Sequence, residues 1–335
     1  MAAAPGTARS AQEVLTWSRG LVEPALRRAV DGLPESMRRI GAYHFGWQDG
    51  RGGGKAIRPT LTLLAAEAVG GSAPDAVRAA VAVELAHNFS LLHDDVMDGD
   101  LTRRHRPTVW SVFGTNAAIL AGDAMLACAF EILAEDHRPA AFRTLSTAVL
   151  DLTEGQSSDM SFEERSDVTL PECLEMARRK TGALIGAACA LGAVYGGGTD
   201  ARVGHLRAFG ERLGLAFQLV DDLLGIWGDP AVTGKPVHND LRSRKKSLPV
   251  VAALGSGTPA GRELTALYLR AEPLTGDEPA RAAALIESAG GRSWAVERAA
   301  ELLAEALTAL DAAAPRPAAA EELKALAELV ALRDH

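Results

Sequence analysis

The sequence predicts an all-α fold, and three observations carry that prediction. Apolar residues recur at helical spacing almost everywhere. Alternating patterns of β-branched residues, the mark of a half-buried strand, are hardly found. Gly/Pro clusters at 50–54 (GRGGG), 196–200 (GGGTD), 228–236 (GDPAVTGKP) and 314–317 (APRP) punctuate the pattern. None of these clusters divides the composition into unlike halves, and no internal repeat is found. One domain is therefore expected over 11–335, behind a loose tail at 1–10.

Helices are expected at 10–32, 57–70, 75–98, 115–135, 138–160, 170–197, 201–228 and 243–254, followed by several alanine-rich ones between 259 and 333. The helix at 57–70 opens on GGGKAIRP (52–59), where Pro59 suits a first turn and Lys55 and Arg58 stand three apart. Helix N-termini and glycine-exposed amides attract phosphate, and arginine adds a bidentate fork. The helix at 75–98 is apolar until it ends in SLLHDDVMDGDLTRRHRPT (90–108). Asp94 and Asp98 are four residues apart and share a face, Asp95 lies about 100° round, and His87 and Ser90 fall along the stripe of Asp94. Acidic groups at a helix C-terminus oppose the macrodipole, so this is a poor place for a merely solvated charge run. Carboxylates at i and i+4 can share hard cations, and Mg²⁺, which keeps waters and takes substrate phosphates as ligands, is the natural candidate. Arg103 and Arg104 follow at once.

Within 170–197, Lys180 and Thr181 (KTG) sit mid-helix. The segment 183–198 is apolar enough to raise a membrane span, but it is too short and too rich in small side chains, and a tightly packed core helix is the better reading. The helix at 201–228 carries Asp221 and Asp222 among Leu, Val and Phe, with Gln218 one turn earlier. Two such carboxylates are costly to desolvate unless paired or metal-bound. Two acidic sites in apolar helical contexts suggest facing helices with cations between them. Lys235 (TGKP) and Lys245 (RKKSLP) add further positive charge downstream.

Composition narrows the partners. The chain has 335 residues, 47% of them hydrophobic, enough for a large core. Its net charge is −8, from 35 basic and 43 acidic residues, which disfavours nucleic acid but permits an anionic substrate mediated by metal ions. Cys128, Cys173 and Cys189 stand far apart, as in a reducing cytosol, and the N-terminus lacks a secretory pattern.

Taken in order, GGGKAIRP, HNFSLLHDDVMD, RRHRPT, LAGDAML, EGQSSDM, KTG, FQLVDD, GKP and KKSLP resemble the motifs of the trans-isoprenyl diphosphate synthases, the polyprenyl synthetase family, over about 20–333. The resemblance implies an all-helical isoprenoid synthase-type fold around a deep central cavity, a homodimer, and three Mg²⁺ ions per active site held by Asp94, Asp98 and Asp221. It implies a cytoplasmic enzyme with no transmembrane segment that joins isopentenyl diphosphate to an allylic diphosphate. Lys55, Arg58, His87 and Arg104 would grip isopentenyl diphosphate. Arg103, Lys180, Thr181, Gln218, Lys235 and Lys245 would serve the allylic diphosphate and its ionisation. Phe89 and Ser90, five and four residues before Asp94, would set the floor of the product chain and point to geranylgeranyl diphosphate, with farnesyl diphosphate as runner-up. Two residues depart from the family pattern. Gly225 stands where a last aspartate is usual, which leaves metal ligation there resting on Asp221, with Asp222 reached through water, and His105 stands where glycine is usual. A class I terpene cyclase or lyase, or a non-catalytic subunit of a heteromeric synthase, are the competing readings. The second diphosphate pocket argues against the first and the intact Asp94/Asp98 motif against the second.

Overall fold

The computed structural model describes residues 8–48, 54–229, 237–270 and 272–331. The expected all-α architecture is what they form. The one pair of strands among them is a two-residue antiparallel hairpin, Thr102–Arg103 (β1) with Arg106–Pro107 (β2).

Helices α1 (Ala11–Asp31), α2 (Glu35–His44), α3 (Ile57–Val69) and α4 (Ala73–Met97) precede the hairpin. Next come α5 (Val109–Phe113), α6 (Thr115–Glu135), α7 (Pro139–Glu164) and α8 (Leu170–Ala177). A π-helical turn, Arg178–Gly182, joins α8 to α9 (Ala183–Tyr195), which is followed by α10 (Asp200–Trp227). The C-terminal part holds α11 (Asn239–Arg242), α12 (Leu248–Leu254), α13 (Pro259–Tyr268), α14 (Glu278–Ser288), α15 (Gly291–Ala312) and α16 (Pro317–Ala331). Start and stop chemistry explains several boundaries. Ser10 and Glu13 form a reciprocal capping box at the start of α1, and Gly70, at φ +107°, ends α3 in a conformation that suits glycine.

Three expectations need correction. The helix expected at 170–197 is broken in register by the π turn, which inserts one residue per turn without interrupting the apolar pattern. The helix expected at 243–254 begins only at Leu248; α11 ends at Arg242, and Arg244 at φ +55° cannot continue it. Helix α2 was not expected, because its ten residues, ESMRRIGAYH, bury only Ile40 and Gly41 and carry little apolar periodicity.

The chain forms two compact units. One comprises Met1–Val149, Leu184–Ala208 and Ala309–Leu326. Within it α4 packs on α1, α3 and α6, burying Leu61, Leu63, Leu64, Leu85 and Met125 completely. Full burial of such side chains is worth about 1.5–3 kcal/mol each. Helix α9 fits against α3 because its small residues let the backbones meet: a Cβ at Gly192 would lie 2.0 Å from the Thr62 carbonyl oxygen. The apolar segment at 183–198 is thus a core helix, as expected. Among the described residues one helix, α6, is long and apolar enough to cross a membrane, and 39% of its apolar window is buried.

The second unit comprises Leu150–Ala183, Phe209–Thr308 and Ala327–His335. Ile226, Leu241, Val250, Leu264, Leu267, Tyr268 and Ile286 form its core, and the buried Tyr268 hydroxyl is satisfied by donating to the Lys245 carbonyl at 2.8 Å. Two glycine contacts seat the π turn here. A Cβ at Gly155 of α7 would lie 2.4 Å from the Lys180 backbone nitrogen, and one at Gly214 of α10 would lie 2.7 Å from Gly182 Cα.

Candidate active site

The end of α4 sorts its three carboxylates by burial. Asp95 is 2% exposed, turned inward, and accepts from Arg103 Nε at 2.7 Å, while its Oδ2 has no hydrogen-bond partner. Burial raises its carboxyl above the usual range, with Arg103 pulling the other way. Asp94 is half-buried and Asp98 exposed, so the i, i+4 pair remains on the more open side, as the helical spacing predicts. Asp98 caps α4 through its N–H to the Asp94 carbonyl at 2.8 Å.

Arg103 ends β1, and the hairpin then turns on Arg104 and His105, at φ +52° and +60°. Two left-handed central residues make a type I′ turn, the geometry that favours Asn and Gly. His105 therefore occupies a position that suits the family's usual glycine, at a conformational cost of about 1–2 kcal/mol. Arg104 extends over Gly54, where a Cβ would be 2.7 Å from its Nη2. The glycine before Lys55 thus makes room for a cation. Lys55 itself is exposed.

On the face of α4 that carries positions 84, 87 and 88, a polar chain runs through the first unit. Arg58 Nη1 donates to His87 Nε2 at 3.1 Å, which requires a neutral imidazole accepting there. Burial holds the His87 ring well below its ordinary pKa, and Arg58, Arg104 and Arg103 push the same way. Asn88 donates to Glu84 Oε1 at 3.0 Å and accepts from His44 Nε2 at 2.9 Å. Glu84 is 8% exposed; burial raises its carboxyl, and Arg58 and Arg104 counter that effect.

In the second unit the π turn presents Lys180 and Thr181. Lys180 Nζ lies 2.5 Å from Asp159 Oδ2 of α7. Burial would raise the Asp159 carboxyl, but Lys180 and Lys245 outweigh it and hold it low. Thr181 donates to Gln218 Oε1 at 2.6 Å, and Gln218 donates to Asp222 Oδ1 at 2.8 Å. Asp222 Oδ2 accepts the Leu248 N–H at 2.9 Å, at the start of α12. Burial pushes its carboxyl up to about 6, against the field of Lys245. Asp222 thus joins α10 to α12 through Oδ2 and holds Gln218 of its own helix through Oδ1, whereas Asp221, one residue back, is half-buried on another face. Gly225 has a physical reason: a Cβ there would fall 2.1 Å from Asp240 Oδ2, so the Asp240 carboxylate occupies the side-chain space of position 225. Lys235 lies outside the described residues.

Phe89 and Ser90 are buried on α4. Phe89 meets His93 edge to face, centroids 5.0 Å apart, and Ser90 donates to the His87 carbonyl. Sequence reasoning did not assign roles to Glu84, Asn88, His44, Asp159 or Asp240. For Asp159 a signal existed: it stands four residues after Gly155 in EGQSSDM, on the face that meets Lys180.

Among the described residues no three carboxylate, imidazole or thiolate side chains converge to enclose a metal. An i, i+4 aspartate pair that leaves most ligand positions to water and phosphate is the donor set of a hard cation such as Mg²⁺, and the residues fit one.

Residues 48–285 match the model of the polyprenyl synthetase family. The (2E,6E)-farnesyl diphosphate synthase of Mycobacterium tuberculosis is 50% identical over 294 residues, 84% of this chain and 82% of that protein. The geranylgeranyl diphosphate synthase of the same organism is 47% identical over 321 residues, 93% of this chain and 91% of that protein. In structure the chain is similar to a polyprenyl synthetase from Streptomyces coelicolor A3(2), with TM-score 0.91 and 48% identity over 96% of this chain and 99% of that one.

Proposed function

The chain belongs to the polyprenyl synthetase family, and on that premise we propose that it joins isopentenyl diphosphate head to tail (1′-4) to an allylic diphosphate, releasing pyrophosphate and a short all-trans prenyl diphosphate. The observation that carries this reading is two separate sets of cations, Arg58 hydrogen-bonded to His87 with Arg104 over Gly54, and Lys180 paired with Asp159, together with the Asp94/Asp98 pair. A terpene cyclase needs only one diphosphate site.

Asp94 and Asp98 at the end of α4, and Asp221 on α10, would hold divalent cations, three Mg²⁺ per active site, and such ions would supply positive charge for a departing pyrophosphate. Arg103, oriented by Asp95, and Lys180, oriented by Asp159, would each offer fixed positive charge to a leaving diphosphate, a role also assigned to Lys245 and Lys235. Thr181 donates to the Gln218 oxygen and the Gln218 amide to Asp222, a chain that fixes the two side chains whose oxygen dipoles would serve an allylic cation. Lys55, Arg58, His87 and Arg104 hold isopentenyl diphosphate, His87 as a neutral acceptor that steers the Arg58 guanidinium. The proton lost after bond formation goes to the released pyrophosphate.

The product is geranylgeranyl diphosphate, with the buried Phe89 as floor and the small Ser90 beside it. Farnesyl diphosphate is the second reading, favoured by the relative at 50% identity that carries that name. The enzyme works in the cytoplasm as a homodimer; the exposed Ile119 and Leu120 on the apolar helix α6 suit burial against a second copy, and none of the three cysteines forms a disulfide. Incubation with Mg²⁺, isopentenyl diphosphate and each allylic primer in turn, followed by sizing of the products, tests the reading. Asp94→Ala with near-normal turnover at saturating Mg²⁺ would sink the metal assignment, and an absence of condensation with every primer would sink the function.

A further inference from the structure

The stretch between α11 and α12, residues 243–247, carries Lys245 and belongs to no helix. It is held from outside instead. The Lys245 N–H donates to the Asp240 carbonyl at 2.9 Å, and its carbonyl accepts from the Tyr268 hydroxyl, at the end of α13, at 2.8 Å. On one side, the Arg244 guanidinium donates to the carbonyl of Arg270, two residues beyond Tyr268. On the other, the Lys246 carbonyl accepts from the Cys173 thiol of α8 at 3.3 Å, and Asp222 accepts the Leu248 N–H.

Tyr268 is 2% exposed and shares the core of the second unit with Ile226, Leu264 and Ile286. A phenylalanine would fill that core as well and bring no hydroxyl to desolvate, so packing does not account for the oxygen. Its hydrogen bond does, because a buried hydroxyl on the Lys245 carbonyl fixes the peptide from which that side chain starts. Lysine carries a point charge on a flexible four-carbon stem, so its charge is placed only as well as its backbone is held. We propose that Tyr268 is a positioning residue for the allylic diphosphate, its hydroxyl holding the Lys245 peptide where the ammonium can meet that diphosphate. The inference rests on the reading of Lys245 as part of the allylic diphosphate site and adds the residue that holds it there. Arg244 is a second anchor of the same stretch: it keeps a left-handed backbone, φ +55°, and reaches the Arg270 carbonyl from it.

Tyr268→Phe removes one oxygen and keeps the ring. Misplacing a catalytic group by about 1 Å costs up to 10²-fold, and a peptide released at one of its bonds shifts by less, so a loss of about tenfold is expected. Two measurements on the full chain decide, each made in the wild-type and the Lys245→Met backgrounds: calorimetric titration with geranyl diphosphate and Mg²⁺ in the absence of isopentenyl diphosphate, and steady-state kinetics with each substrate varied separately. In the wild-type background Tyr268→Phe should raise the geranyl diphosphate Kd and lower the allylic kcat/KM, each about tenfold, while the KM for isopentenyl diphosphate stays within about twofold. In the Lys245→Met background the same change should move neither allylic constant by more than about twofold, because the side chain that the hydroxyl positions is gone. A merely structural tyrosine would add its full loss in both backgrounds, and that result overturns the proposal, as does an unchanged Kd in Tyr268→Phe. Should Tyr268→Phe not fold, Arg244→Gly, which relieves the left-handed backbone but releases the anchor on Arg270, should raise the same Kd about threefold, and no rise overturns the proposal. Lys245→Met alone separates the two readings. If it leaves the Kd unchanged, the assignment of Lys245 falls and the inference with it; if it raises the Kd while Tyr268→Phe does not, the inference alone falls. A wild type that binds geranyl diphosphate but condenses nothing refutes the function, while a tenfold loss of binding in Tyr268→Phe still supports the positioning role.

Discussion

Gly155→Ala is the sharpest test of how α7 and the π turn position Lys180. The added methyl would lie 2.4 Å from the Lys180 backbone nitrogen, 2.8 Å from its Cα and 2.9 Å from its Cβ. Carbon and nitrogen settle at about 3.5 Å, so one element must retreat by roughly 1 Å. The obstacle is backbone, with no flexible end to swing aside. Alanine gains about 1 kcal/mol over glycine in a helix, and overpacking of this kind costs about 1–3 kcal/mol, so the net effect is a destabilisation of up to about 2 kcal/mol. The effect on turnover should be larger. Asp159 stands one turn along the same face of α7 and lies 2.5 Å from Lys180 Nζ, so a shift that relieves the clash also separates the ion pair. Misplacing a catalytic group by about 1 Å costs up to 10²-fold. Urea unfolding and turnover with saturating substrates measure the two effects. Gly204→Ala on the exposed part of α10, where nothing lies within 4 Å of the new methyl, is the control and should be stabilising by up to about 1 kcal/mol. A Gly155→Ala protein as stable as the control and fully active would refute the reasoning.

His105→Gly should stabilise the chain by about 0.5–1 kcal/mol in urea unfolding, because relief of a left-handed histidine exceeds the added unfolded-state entropy; a loss of stability would contradict the turn assignment. Burial and the nearby Arg104 lower the His44 pKa from 6.5 to about 3, so the neutral ring stabilises the fold above pH 6.5 and that contribution is lost as pH falls toward 3. His44→Gln should therefore flatten the acid limb of stability between those values, and an unaltered acid unfolding profile would count against it. Phe89→Ala should lengthen the product while the first condensation persists; a folded variant with unchanged product length would show Phe89 to be core alone, at a cost of about 3–5 kcal/mol.

Helix content, the two acidic motifs and their order with the lysines and arginines could be read from the chain because they are local. Periodicity fixes which residues share a face, and i, i+4 spacing already placed Asp94 and Asp98 together on the more open side of α4. Helix α2 escaped because ten residues with two buried positions give too few periods to count, and the π turn escaped because it shifts register without changing composition. Which of two adjacent aspartates turns inward is not local. Asp95 is satisfied by Arg103 from the hairpin beyond the helix end, and Asp222 by the Leu248 amide at the start of another helix as well as by Gln218 one turn back on its own. The same holds for Glu84, whose carboxylate takes its direction from Asn88 and through it from His44, and for Gly225, whose missing side chain is space that Asp240 fills. Sequence alone determined the chemistry available, the carboxylates and cations and their spacing along each helix. The tertiary structure decided their division of labour, because the desolvation of a charge depends on partners brought in from elsewhere in the chain.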